Sequence, residues 1–270
     1  MDFNLLKFNQ LLKSLLLQGF SFQDFRGYLS SPNEKLIVLR HDVDLKPINS
    51  LKTAKIENKL GINGTYYFRS VPQSFDENII RQIADLGHEI GYHYENLATS
   101  KGNFNEAIAD FERNLERFRK IVPVKTICMH GSPLSKWDSR LLWEKYDYHD
   151  FGIVGEPYFD VDFTKVLYLT DTGRRWDGEK YSVRDKVLGR QQEQLKRQSN
   201  KKRNPILLSD KYKFHSTFDI IRAAENNELP DQIMITIHPQ RWNDKPLPWI
   251  KEYVMQNVKN VVKRYFFVRR

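Results

Sequence analysis

Short apolar runs alternate along the chain with amphipathic stretches. The apolar runs are rich in aliphatic, β-branched or aromatic residues, as buried strands are, and they span residues 36–39, 65–68, 89–94, 126–129, 166–169 and 233–237. Helical periodicity occupies about residues 47–60, 76–86, 105–121, 138–146, 216–226 and 248–262. Strands and helices that take turns are typical of parallel strands joined by crossover helices. The pattern therefore predicts an α/β fold, either a barrel or an open doubly wound sheet.

The leucine-rich N-terminus predicts an amphipathic helix. Polar residues such as Lys7, Asn9 and Lys13 interrupt its apolar runs, whereas a signal peptide needs an uninterrupted one. No stretch reaches the roughly 18 apolar residues of a membrane span, so we expect a cytoplasmic protein. Because no linker rich in Gly, Ser or Pro divides the chain, we predict a single domain over residues 1–270. It comprises an N-terminal helical extension (1–34), a strand-bearing core (35–245) and a C-terminal helix with a basic tail (246–270).

Composition narrows the class of protein. The 270 residues contain 40% hydrophobic and 13% aromatic residues, too much apolar material for a disordered chain. Cys128 is the single cysteine, so no internal disulfide can form. The net charge of +9 is concentrated in part at residues 196–203 and 263–270, which we interpret as solvated surface or as contact with a phosphate-bearing substrate or a membrane face. Nucleic acid is not expected, because these basic residues are not interleaved with aromatics in any recognised module.

Ionisable residues follow the predicted strands. They are Arg40, His41, Asp42 and Asp44 after the first strand, then His93 and Glu95, then His130, then Asp171, and finally His238. In parallel α/β folds the carboxyl ends of the strands open on one face, where ligands bind. We therefore expect these side chains to converge on one site.

The residue types at this site are typical of divalent metal chemistry. Asp42 and Asp44 are two apart, so in an extended segment both carboxylates point the same way and repel each other unless a cation lies between them. One carboxylate with His93 and His130 matches a catalytic site for Zn²⁺, with Co²⁺, Ni²⁺ or Mn²⁺ as alternatives. Glu95 competes for the third ligand position. The other carboxylate is a candidate general base.

His238 is placed to act as a general acid on the opposite side of the same site. Cys128 precedes His130 by two residues and could join a softer metal site, but inside a strand we interpret it as a small buried hydrophobe.

Five phrases of the sequence, in this order, resemble a known family: RHDVD, GHEIGYHYE, HGSPLSKWD, DTGRRW and IHPQRW. Across residues 36–242 the chain resembles the polysaccharide deacetylases of carbohydrate esterase family 4, and above all a divergent branch linked to bacterial lipopolysaccharide and capsule synthesis. The resemblance implies a distorted β/α barrel with about seven parallel strands and metal-dependent removal of acetyl from an N-acetylated sugar. It implies Asp42 as general base, Asp44 and His93 as metal ligands, and His238 as general acid.

The sequence departs from the family pattern in three ways. Leu97 stands where the family has its second metal-binding histidine, so His130 or Glu95 must supply that ligand. Val43 separates the usually adjacent aspartates, so the base and ligand roles could be exchanged. The arginine that orients the base in the family is also missing from its usual strand, which leaves Arg40 or Arg174 as replacements.

The expected substrate is an amino sugar, carried as a nucleotide sugar or a lipid-linked saccharide. Trp137, Trp176 and Trp242 could stack on sugar rings, and Arg174 and Arg241 could clasp a phosphate or carboxylate. Peripheral membrane contact is compatible with the basic tail, and no protein partner is predicted. Two alternatives are a metal-dependent amidohydrolase that acts on a non-sugar amide and a catalytically silent carbohydrate-binding protein.

Overall fold

The computed structural model describes residues 1–132, 135–176 and 207–266, and a sheet of parallel strands forms its centre. The seven strands are β1 (Ser21–Gln23), β2 (Leu36–Val43), β3 (Thr65–Phe68), β4 (Glu89–Tyr94), β5 (Ile127–Met129), β6 (Leu167–Thr170) and β7 (Gln232–Ile237). Their order is β5-β4-β3-β2-β7-β6, with β1 also paired to β2. The basic segment at 196–203 and residues 267–270 lie outside the described residues.

Helices surround this sheet. The α-helices are α1 (Leu5–Leu17), α2 (Phe25–Ser30), α3 (Pro47–Lys59), α4 (Glu77–Asp85), α5 (Asn96–Thr99), α6 (Phe104–Arg119), α7 (Leu142–Lys145), α8 (Pro157–Asp160), α9 (Leu208–Lys211), α10 (Thr217–Glu225) and α11 (Pro246–Phe266). Short 3₁₀ helices cover Ser139–Leu141, Tyr148–Phe151, Thr172–Arg174 and Pro239–Arg241. Within the described ranges the strands all pair in parallel and curl into an incomplete barrel with β5 and β6 at its edges. This confirms the predicted β/α barrel with about seven parallel strands.

The segment before residue 35 does more than form a helical extension. Helix α1 buries Phe8, Leu12 and Leu15, as its amphipathic pattern predicts, and it packs against α10. The following β1 pairs with the first half of β2, so this segment also contributes a strand to the sheet. Among the described residues, none of the helices combines the length and the apolar character that crossing a membrane requires.

Strand β2 is the central element, and all eight of its residues are buried. Its first residues alternate between two apolar clusters, with Leu36 and Val38 in one and Ile37 and Leu39 in the other. The strand then continues past Leu39, the predicted end, to Val43. Pairing with β3 over Arg40–Val43 holds this charged half of the strand in register.

The alternation of β2 sends His41 to the face opposite Arg40 and Asp42. There His41 Nε2 lies 2.9 Å from Glu57 Oε1 of α3, and the His41 ring stacks on Tyr66 at 3.9 Å between ring centroids. Both His41 and Glu57 are fully buried. His41 therefore ties β2 to α3 and takes no part in the strand-end cluster.

Two residues of the GHEIGYH phrase are structural. The imidazole of His88 is buried, with Nδ1 accepting from the Gly64 N–H and Nε2 3.1 Å from the Ala54 carbonyl oxygen. Gly91 lies directly against the Tyr67 ring, where an added Cβ would come within 2.3 Å of ring carbons. This close approach requires glycine at position 91.

Candidate active site

Three imidazoles surround the Asp44 carboxylate at the carboxyl ends of the strands. His93 lies in β4, His130 follows β5 and His238 follows β7. The Nε2 atoms of His93 and His130 lie 3.6 and 3.5 Å from Asp44 Oδ1, and that of His238 lies 3.9 Å from Asp44 Oδ2. The parallel topology thus brings together residues that are far apart in the chain.

Each of these histidines is oriented through its other ring nitrogen. Nδ1 of His93 lies 2.9 Å from the Cys128 carbonyl oxygen, Nδ1 of His130 lies 2.8 Å from Glu95 Oε2, and Nδ1 of His238 lies 2.6 Å from Asp171 Oδ1. An acceptor at Nδ1 favours the tautomer with the proton on that atom and leaves a lone pair on Nε2. All three Nε2 lone pairs are then available at Asp44, as metal ligation requires.

The Asp44 carboxylate has one satisfied and one unsatisfied oxygen. Oδ2 accepts a hydrogen bond from Gln240 Nε2 at 3.0 Å, whereas the buried Oδ1 has no hydrogen-bond partner. Burial alone would raise the pKa of Asp44, but the electrostatic influence of His93, His130 and His238 holds it well below its usual range. A buried anionic oxygen without a partner is costly, and a cation between it and the imidazoles relieves that cost. The residues present therefore fit a divalent ion.

Asp42 is held by Arg40 from the same strand. Arg40 Nε donates to Asp42 Oδ1 at 2.9 Å and its Nη2 donates to Oδ2 at 2.6 Å, so the pair is bidentate and buried. Burial alone would raise the pKa of Asp42, but Arg40 and His93 lower it to about 2. Arg40 also donates to the Tyr158 hydroxyl, with its guanidinium 5.0 Å from that ring. Of the two arginines expected to orient Asp42, the structure places Arg40 there.

Asp171 fixes His238. Besides its contact with Nδ1, the Asp171 carboxylate accepts from the His238 backbone N–H at 3.0 Å, from Arg241 Nη1 at 2.7 Å and from the Trp242 indole N–H at 2.7 Å. Burial would raise the pKa of Asp171, but Arg241 and His238 lower it. The carboxylate is therefore anionic, and it directs Nε2 of His238 toward Asp44.

Glu95 faces His130 and Arg69 instead of the centre of the cluster. Arg69 donates to Oε1, with Nε at 2.8 Å, and Ser132 donates to Oε2 at 2.9 Å. Burial would raise the pKa of Glu95, but His130 and Arg69 lower it to about 2. Leu97 is fully buried in the apolar core. The Nε2 atom of His130 therefore faces Asp44, and Glu95 lies behind His130 at its Nδ1 atom.

A second donor set overlaps with this one. Among the described residues, the ligand atoms of Asp42, His93 and Cys128 form a group whose members all lie within 4.8 Å of one another. Cys128 is fully buried. His93 belongs to both sets, so the choice between them depends on which of the two aspartates, Asp42 or Asp44, has an oxygen available for an ion.

Two residues expected to bind substrate lie elsewhere. Trp242 is fully buried, packs against Phe3 and Phe8 and donates to Asp171, so it presents no ring face to a sugar. Arg174 is buried against Trp249, with its guanidinium 4.5 Å from that ring. Both are therefore structural, which corrects the expectation that they bind substrate.

The other residues of that group also have protein contacts. Trp176 is buried and donates to Thr217 Oγ1 at 3.0 Å, and Arg241 is committed to Asp171. Trp137 is half-buried and lies against Gly102, with Lys136 5.3 Å from its ring. Trp137 is therefore the one tryptophan of the three with part of its ring accessible.

Three contributors to the site escaped the sequence reasoning. Asp171 was recognised as a strand-end residue but given no role, although the DTG phrase follows a strand directly. Gln240 follows His238 by two positions, so it could have been found by proximity to that histidine. Tyr158 lies in a short helix far from every motif, and no pattern pointed to it.

No protein-family model and no curated protein matches this chain. Among solved structures it is similar to a Streptococcus mutans CE4 esterase, with 13% identity over 88% of this chain and 85% of that one and a TM-score of 0.44. It is also similar to a CE4 family pseudoenzyme from Bacillus anthracis, with 13% identity over 87% of this chain and a TM-score of 0.42. The chain spans 63% of the length of that pseudoenzyme.

A third similar structure is the peptidoglycan deacetylase PdaC from Bacillus subtilis. It shares 13% identity with this chain over 87% of this chain and 99% of that one, with a TM-score of 0.37. At such identities a similarity concerns the fold alone, so the function has to be argued from the site.

Proposed function

We propose that the protein is a metal-dependent deacetylase that removes acetyl from an N-acetylated sugar in surface-polysaccharide synthesis. The observation that supports this most is the unsatisfied, buried Asp44 Oδ1 between two imidazole Nε2 atoms. The ordered motifs from Leu36 to Trp242 supply the sugar part of the proposal, because they resemble polysaccharide deacetylases.

Asp44, His93 and His130 are the proposed ligands. Ligand atoms bound to one zinc ion at about 2.0–2.1 Å stand roughly 3.3 Å apart. The distances of 3.6 and 3.5 Å from Asp44 Oδ1 to the two imidazoles are close to that spacing, but the two imidazoles have to approach each other to share an ion, because the three atoms do not all lie within 4.8 Å of one another. The Asp42–His93–Cys128 set is more compact, but both oxygens of Asp42 are already bound by Arg40. A cation there would also face the buried guanidinium and be repelled by it. We therefore assign the ion to the Asp44 set.

A bound divalent ion lowers the pKa of a coordinated water toward about 7 and polarises an acyl oxygen, and zinc is the first candidate. Asp42 is the proposed general base. Its pKa of about 2 makes Asp42 anionic at neutral pH but only weakly basic. It is therefore suited to accept a proton from a water whose own pKa would be lowered by a bound ion. Arg40 fixes the direction of its oxygens.

His238 is the proposed general acid. Asp171 occupies its Nδ1, so a proton delivered to a leaving amine comes from Nε2, the atom that faces Asp44. The anionic Asp171 carboxylate holds the ring in this orientation. The base and the acid thus lie at separate positions around one centre.

The proposal is tested by acetate release. Purified protein supplied with zinc, cobalt, nickel or manganese should release acetate from N-acetylhexosamines, from their nucleotide-linked forms or from lipid-linked saccharides, and much more slowly from simple acetamides. Equal or faster release from simple amides would assign a non-sugar amidohydrolase. Saccharide binding without metal and without acetate release would assign a catalytically silent binding protein.

Substituting His238 with alanine should slow hydrolysis by about 10²- to 10⁴-fold, the usual contribution of a general acid, without changing metal content. Asp171→Asn should also lower the rate, because the amide can replace only part of the hydrogen bonds by which the Asp171 carboxylate orients His238. His149→Ala is a matched control, since His149 is exposed and pairs only locally with Asp147. Rates and metal content are measured on the same preparations. An unchanged rate in His238→Ala would assign the acid role to another residue.

A further inference from the structure

Helix α11 presents a continuous apolar stripe to solvent. Its five residues are spaced three or four apart, as on one face of a helix, and are Leu247, Ile250, Val254, Val258 and Val261. Their exposed fractions range from 51% to 81%. Scattered exposed aliphatic residues are common, but a stripe that runs for four turns marks an interaction surface.

The opposite face of α11, which packs on the protein, carries Trp249 followed by polar residues. Gln256 and Asn260 are buried there, Gln256 donates to Asn260 Oδ1, and Asn260 donates to the Gly173 carbonyl oxygen. Glu252 pairs with Lys46 at 3.8 Å. An ordinary surface helix buries its apolar side and exposes its polar side. In α11 this arrangement is inverted, so the apolar stripe is not needed for packing within the described chain.

Basic residues accompany the stripe. Residues 245–270 contain seven Lys or Arg and one acidic residue, Glu252. Lys251 is exposed, and by helical spacing it lies on one flank of the stripe, beside Leu247 and Val254. Apolar residues flanked by lysines are typical of helices that lie in the interface of anionic membranes. We propose that α11 docks the protein on an anionic membrane surface through this stripe.

Charge favours a membrane over a second copy of the chain. An antiparallel twofold dimer through the stripe would bring the Lys251 flanks of two helices together. Glu252, the acidic residue of α11, points to Lys46 of the same chain and is not available to offset that repulsion. Lipid headgroups such as phosphatidylglycerol supply anions for Lys251 and the other basic residues of this segment.

The packing face of α11, opposite the docking surface, contacts segments next to the candidate active site. Lys46 follows Asp44 by two residues, and Trp249 of α11 packs on Arg174 just beyond Asp171. A membrane bound at the stripe of α11 therefore lies about one helix diameter, roughly 10–12 Å, from the loop that carries Asp44. If the proposed function holds, this arrangement gives the site access to saccharides carried on lipids, and that consequence alone rests on the proposed hydrolysis.

Vesicle co-sedimentation of the full chain tests the docking. The protein should bind vesicles that contain phosphatidylglycerol, bind phosphatidylcholine vesicles weakly, and dissociate as salt is raised. Val254→Asp/Val258→Asp should weaken binding by about tenfold or more, because two charges enter the apolar contact. The matched control is Leu17→Asp/Val154→Asp, which adds the same charge at exposed apolar residues outside α11 and should bind like the unaltered chain.

Two results would overturn the proposal. One is equal vesicle binding by the α11 variant and the control, with circular dichroism showing both folded. The other is a dimer in light scattering that the α11 substitutions dissociate, without vesicle binding by the unaltered chain. Hydrolysis of a water-soluble substrate should be the same in the α11 variant and the unaltered chain, so failure of docking is distinguishable from failure of the proposed function.

Discussion

Replacing Asp44 with alanine should abolish metal retention and hydrolysis together. Asp44 Oδ1 lies between His93 and His130. The two neutral imidazoles can share an ion with Asp44 only if its carboxylate supplies negative charge. Loss of residues that merely support a ligand typically costs 10- to 100-fold in metal affinity, so loss of the ligand itself should exceed about 100-fold. Metal analysis after incubation with zinc and titration with a chromophoric chelator measure this.

Two companion variants sharpen the Asp44 result. Asp44→Asn keeps the shape of the side chain but removes its charge, so it should bind metal weakly even where the fold is unchanged. Cys128→Ser should retain metal, because Cys128 lies outside the proposed ligand set. If Asp44→Ala retained metal and Cys128→Ser lost it, the ion would have to be assigned to the Asp42–His93–Cys128 set.

The low pKa values of Asp42 and Glu95 make the stability of the folded chain depend on pH in the acid range. Asp42 and Glu95 both have a pKa of about 2 in the folded chain, below the unfolded value near 4. A carboxylate whose folded pKa is depressed contributes stability above its unfolded pKa, and this contribution is lost as the pH falls through the folded pKa. Both contributions should therefore be complete above about pH 5 and disappear toward pH 2.

Much of the fold follows from periodicity. The six predicted strands are present because long apolar runs are buried on both faces of a parallel sheet, which is how such strands are recognised. The strand β1 could not be recognised, because it is three half-buried residues long and carries no apolar run. The extension of β2 through Arg40 and Asp42 was also missed, since two charged residues interrupt its apolar pattern.

The cluster around Asp44 was predictable for a topological reason. Residues that follow parallel strands meet at one edge of the sheet, so His93, His130 and His238 could be expected near Asp44 without knowledge of any contact. Which residues support them was not predictable, because those contacts join distant positions that share no period. Asp171 and Trp242, for example, are 71 residues apart, and their hydrogen bond turns a candidate sugar-stacking residue into a core residue.

Replacing Arg40 with leucine should destabilise the protein severely, because Asp42 is then left as a buried charge without its bidentate partner. The side chain of Arg40 is 1% exposed and that of Asp42 is 6% exposed, so solvent screens the pair little. Breaking such a buried pair from one side typically costs about 3–5 kcal/mol. Urea unfolding at neutral pH measures the free energy of unfolding. Arg81→Leu is the matched control, since Arg81 and Glu77 form an exposed pair that contributes less than about 1 kcal/mol.

The double variant Arg40→Leu/Asp42→Asn should recover most of that loss, because it removes both charges instead of stranding one. In the single variant Arg40→Leu, the pH dependence of the free energy of unfolding that comes from Asp42 should also change sign. Burial without Arg40 raises the pKa of Asp42 above its unfolded value. Between these two pKa values the carboxyl is protonated in the folded chain and ionised in the unfolded chain, so stability falls as the pH rises from the unfolded toward the folded pKa. Unfolding measured at several pH values therefore distinguishes a stranded charge from a packing defect. Two results would contradict this account: a single variant that is as stable as Arg81→Leu, or a double variant that is no more stable than the single one. Either would show that the Arg40–Asp42 pair does not offset the cost of burying the charged end of β2.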